Sequence, residues 1–178
     1  AISNGDSGFE VYSFTGGTIR ANTASGNVTD GFLVDYFEGG TMSDNSASAN
    51  KYGFRVIYFN SGTLNGNSAN FNNVTANTSD GFNIWEFNGG TINGNTATGN
   101  TSHGFYVDTF TGGTINTNTS SGNNSYGFFV QTYNEGLVSG NTASFNTQDG
   151  FYVNAFNGGT ISDNTSYAND HDGFVVGA

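Results

Sequence analysis

The chain has 178 residues, of which 34% are hydrophobic, 15% aromatic and only 10% charged. The length suits one domain, and so aromatic and weakly charged a composition favours an ordered core over intrinsic disorder. Fourteen acidic residues against three basic ones give a net charge of −11, which repels phosphate backbones and anionic lipid and argues against nucleic acid as a partner.

No cysteine is present, so disulfides, thiolate metal sites and thiol nucleophiles are absent, and no apolar run is long enough to insert into a membrane. Gly-Phe recurs at Gly8, Gly31, Gly53, Gly81, Gly104, Gly127, Gly150 and Gly173, with spacings of 23, 22, 28, 23, 23, 23 and 23 residues. Such a period means stacked copies of one small unit. Each unit opens with a strand of the form Phe-x-Val, as at Phe105 and Val107. An aromatic corner follows, the column Phe14, Phe37, Phe59, Phe87, Phe110, Tyr133 and Phe156. After a Gly-Gly turn comes a second strand with one large aliphatic residue, for example Ile92 or Ile115. A third, short strand reads Asn-Thr-Ala or a variant.

Two asparagine columns bracket that third strand. One is Asn22, Asn45, Asn67, Asn95, Asn118, Asn141 and Asn164; the other is Asn27, Asn50, Asn72, Asn100, Asn123, Asn146 and Asn169. An amide both donates and accepts, so stacked copies are predicted to form hydrogen-bonded ladders. The 28-residue unit carries about five extra residues near Asn72–Asn77, read as one bulged loop. The segments Asn141–Asn146 and Asp149–Val153 resemble the right-handed parallel β-helix repeats of polysaccharide-degrading enzymes and bacterial surface proteins. The resemblance implies an all-β right-handed parallel β-helix, a β-solenoid of about seven rungs over residues 1–178, at the cell surface or outside the cell.

That architecture carries lyases, hydrolases, adhesins and structural proteins alike, so function has to be sought in outward residues. The outward carboxylates Glu10, Asp35, Glu86 and Asp108 form no pair beside a walled pocket, and no enzyme is expected. His103 and His171 stand three units apart and read as surface turn residues. In the turn before Gly-Phe, Asp149, Asp170 and Asp172 are the one candidate cation site, and calcium the one candidate cofactor. Tyr12, Leu33, Ile57, Trp85, Tyr106, Phe129 and Tyr152 are expected to form an exposed apolar stripe, which marks an interaction face.

The sequence starts partway through a unit at Asn4 and stops after a first strand, with no cap predicted at either end. Open ladder edges favour pairing with further copies. The expected function is therefore a structural extracellular subunit that associates with itself head to tail into filaments or a sheath, with the stripe making lateral contacts. The alternative is a glycan- or surface-binding segment of an adhesin, with an ice-binding protein or a polysaccharide lyase or hydrolase as lesser readings.

Overall fold

The computed structural model describes residues 1–73 and 79–177. The chain is a parallel β-solenoid whose strands stack into three sheets of eight, seven and seven strands. Among the described residues there is no helix. Each full rung contributes one strand to each sheet, as in Phe105–Phe110, Thr114–Asn116 and Thr119–Ser121. Most of the expected loop at Asn72–Asn77 lies outside the described residues.

Every rung repeats the same residues in register, so like side chains stack. Phe82 pairs with Phe105, and Phe105 with Phe128. Their rings lie 4.6 and 4.7 Å apart and within 7° of parallel. Phe87, Phe110 and Tyr133 form a second inner stack at the corner. These side chains, with Val107, Ile92 and Ala97, are at most 4% exposed. No rung could bury such a face alone; stacking completes the core.

Both asparagine columns form the predicted ladders. The Asn95 Nδ2 donates to Asn118 Oδ1 at 3.0 Å and to the Leu64 carbonyl at 2.9 Å, while the Asn95 backbone N–H donates to the same Asn118 oxygen at 2.9 Å. Asn100 repeats the arrangement with Asn123 and the Ala69 carbonyl. The residue before each ladder asparagine takes a left-handed backbone, including non-glycines such as Ala49, Phe71, Thr117 and Phe145. Left-handed backbone is unfavourable for such residues. The hydrogen bonds made by the next residue hold each corner in place.

The glycine of Gly-Phe is needed for space rather than for its backbone angle. A Cβ on Gly81 would lie 2.7 Å from the Gly104 carbonyl oxygen and 2.9 Å from both Ala97 Cβ and Asn100 Nδ2. The first sheet here packs directly against the third strand and its ladder.

Candidate binding site

In strand Phe105–Phe110, Phe105, Val107 and Phe110 are buried, whereas Tyr106, Asp108 and Thr109 reach the outer face. Two of its outward files concern the site. Register places Glu10, Leu33, Arg55, Asn83, Tyr106, Phe129, Tyr152 and Val175 in one file. Tyr12, Ile57 and Trp85 lie two residues further along their strands, in line with Asp35 and Asp108. The expected stripe is thus split between two files, and Arg55 and Asn83 interrupt the first. Tyr12 is 70% and Trp85 47% exposed; Leu33, Ile57, Tyr106, Phe129 and Tyr152 are half-buried.

The interruption creates a cleft of about 460 Å³, lined by Tyr52, Asp80, Asn83, Trp85, Ser102, His103, Tyr106 and Asp108. Three consecutive rungs build it. The first supplies Tyr52, with Arg55 behind it; the Arg55 guanidinium carbon sits 5.3 Å from the ring centroids of both Tyr52 and Trp85. The second supplies the short floor residues Asp80 and Asn83. The third supplies His103 and Tyr106, which continue into an aromatic stack. Tyr106 lies against Phe129 at 5.5 Å and 5°, Phe129 against Tyr152 at 5.4 Å and 3°, and His103 against Tyr126 at 5.4 Å and 20°.

Hydrogen bonds hold the floor in place. The Asn83 Nδ2 donates to Asp80 Oδ2 at 2.7 Å, and the Trp85 Nε1 donates to Asn83 Oδ1 at 3.0 Å. The other Asp80 oxygen accepts the His103 backbone N–H at 3.0 Å. Along the strand of the third rung, the Tyr106 hydroxyl donates to Asp108 Oδ1 at 3.0 Å. Burial first, then this hydrogen bond and the Asp108 charge, push the Tyr106 hydroxyl up to about 12, so it stays a neutral donor at physiological pH. Burial lowers the His103 value below 6.5 against the pull of Asp80, favouring the neutral ring.

His103 is therefore not a plain surface turn residue: it is half-buried and stacked, and its Nδ1 is buried without a hydrogen-bond partner. Asp80 and Asn83 escaped the sequence reading because each is unremarkable alone. The outward file itself carries the signal, an asparagine between Arg55 and a run of three aromatics.

The candidate calcium residues are arranged differently. Asp149 is buried, and its Oδ1 accepts the Asp172 backbone N–H at 2.8 Å, bracing the turn. Asp170 and Asp172 are exposed. Among the described residues no three His, Cys, Asp or Glu side chains gather as a metal-binding group.

A family profile described as "Periplasmic copper-binding protein (NosD)" matches residues 2–172. The chain belongs to the NosD family. No curated protein and no solved structure matches it. The family's description brings copper into question, and copper sites draw on thiolate, thioether and imidazole ligands. This NosD-family chain has no cysteine, and its one methionine, Met42, is 1% exposed within the core. Its two histidines stand three rungs apart, roughly 14 Å by the strand spacing. These residues do not fit a copper site.

Proposed function

We propose that this NosD-family solenoid is a glycan-binding protein that works outside the cytoplasm, with the cleft around Asn83 as its site. The observation that supports this most is the pairing of ring faces on the cleft walls with polar groups on its floor. Tyr52, Trp85, His103 and Tyr106 offer flat contacts, while Asp80, Asn83, Ser102 and Asp108 offer hydrogen-bonding edges. A sugar ring presents the matching pattern, apolar C–H faces and a polar rim. The description of the family as periplasmic supports the location.

Binding is favoured over catalysis because the two carboxylates already serve as acceptors. Asp80 takes hydrogen bonds from Asn83 and His103, and Asp108 takes one from Tyr106. The test is a glycan array probed with the whole chain and with Trp85→Ala combined with Tyr106→Ala. The parent is expected to bind and the double variant to lose binding with an unchanged circular-dichroism spectrum. An array on which the parent binds no glycan overturns the reading.

Head-to-tail self-association is the second reading, supported by the polarity of the ladders. The amide-to-amide bonds all run one way, Nδ2 of one rung donating to Oδ1 of the next, as from Asn27 to Asn50 and from Asn123 to Asn146. Opposite ends of such a ladder are therefore complementary, and heterologous contacts of this kind build open polymers. Light scattering across protein concentrations tests it, and a monomer at every concentration refutes it.

A further inference from the structure

We infer that the cleft takes a single non-anionic pyranose ring inserted edge-first, the end or a branch of a glycan, and not a length of polymer lying along the solenoid axis. This rests on the glycan reading above and names its ligand more closely.

The aromatic file beside the cleft looks like a platform but is not one. Tyr106, Phe129 and Tyr152 stack on each other within 5° of parallel, so their faces cover one another and their edges meet solvent. A polysaccharide running along the axis would cross ring edges and gain little face contact. The face of Tyr106 turned toward Asn83 is different, because its neighbour in register carries no ring. His103 likewise follows Asp80, with Tyr52 on the far side of that file, while Arg55 stands on the far side of Asn83. The cleft is a stack with one ring missing.

Its width follows from the strand spacing. The walls stand two rungs apart, about 9.6 Å, so a ring centred between them lies about 4.8 Å from each. The Phe pairs of the core sit at the same separation, 4.6 and 4.7 Å. A puckered pyranose with axial hydrogens fills that space more fully than a flat ring. Its inserted edge meets Asp80 and Asn83 on the floor, and its outer hydroxyls meet Asp108. The lining holds two carboxylates and no lysine or arginine. Arg55, in register beside Asn83, has its guanidinium engaged by the Tyr52 and Trp85 rings, so the charges that line the cleft are negative and repel a uronate or sulfated ring.

The test restores the missing ring. Asn83→Phe extends the Tyr106–Phe129–Tyr152 file by one ring, and a phenyl in the gap meets the Tyr106 ring on one side and the Arg55 side chain on the other. Its melting temperature is expected to equal or exceed the parent's, and glycan binding to disappear. On an array of neutral, amino, uronic and sulfated glycans, the spots bound by the parent should share a non-anionic terminal or branch ring. A matching free monosaccharide should compete within about tenfold of the whole glycan, since the slot holds one ring. Tyr106→Leu, which removes one wall, should weaken binding by about tenfold without filling the gap, and serves if Asn83→Phe does not fold. Binding that survives Asn83→Phe or Tyr106→Leu, needs internal chain segments, or selects anionic rings overturns this inference and leaves the glycan reading standing. Absence of binding to every glycan overturns both.

Discussion

Replacing Asn95 by leucine tests whether the ladders hold the solenoid together. Asn95 is 1% exposed. Its Oδ1 accepts from the Asn67 backbone N–H at 2.9 Å and from Asn67 Nδ2 at 3.0 Å, and its own Nδ2 donates to Leu64 and Asn118. Leucine keeps the backbone donation to Asn118, and the Leu64 carbonyl keeps its place in the parallel strand pairing, but the Asn67 N–H and one Asn67 amide hydrogen are orphaned. Each buried orphan costs about 1–3 kcal/mol. Burying the leucine side chain returns roughly 1.5–3 kcal/mol. The net loss is about 2 kcal/mol, or roughly 4–8 °C in melting temperature for a chain of this size. Thermal denaturation followed by circular dichroism measures it. Because repeat arrays can unfold rung by rung, hydrogen exchange at the Asn67 and Thr96 amides locates the damage. A melting temperature within a degree of the parent, with both amides still protected, would falsify the ladder argument.

The pH dependence of stability should reveal Asp30, and the close approach of the first sheet should make Gly81 intolerant. Burial, opposed by Arg55 and Lys51, raises the Asp30 carboxyl from 3.8 to about 6, and its Oδ1 has no hydrogen-bond partner. The folded state then holds this proton more tightly than the unfolded chain, so stability is full below 3.8 and falls as pH rises through about 6, by about 3 kcal/mol in all. Asp30→Asn should therefore melt higher than the parent at neutral pH and lose that advantage below 3.8; equal melts at neutral pH would show that water reaches the carboxylate. Gly81→Ala should cost about 1–3 kcal/mol by overpacking, whereas a neutral or stabilising result in urea titration would mean that the rungs yield to the added methyl.

The period of the repeat, the inward Phe-x-Val pattern and both asparagine columns were legible in the sequence, and they determine the solenoid. The reason is repetition. Each rung meets a near-copy of itself, so a residue's partner is its own counterpart one unit away, and alignment alone predicts that Asn95 bonds Asn118 or that Phe82 stacks on Phe105. Outward residues lack this protection because their neighbours differ from rung to rung. Trp85 and Tyr106 looked like members of one stripe, but a two-residue offset along the strand sets them in different files. Only the tertiary structure brought Tyr52, Asn83 and Tyr106 together across three rungs. Short side chains there leave the gap in the ring stack, and a gap depends on what stands on both sides of it.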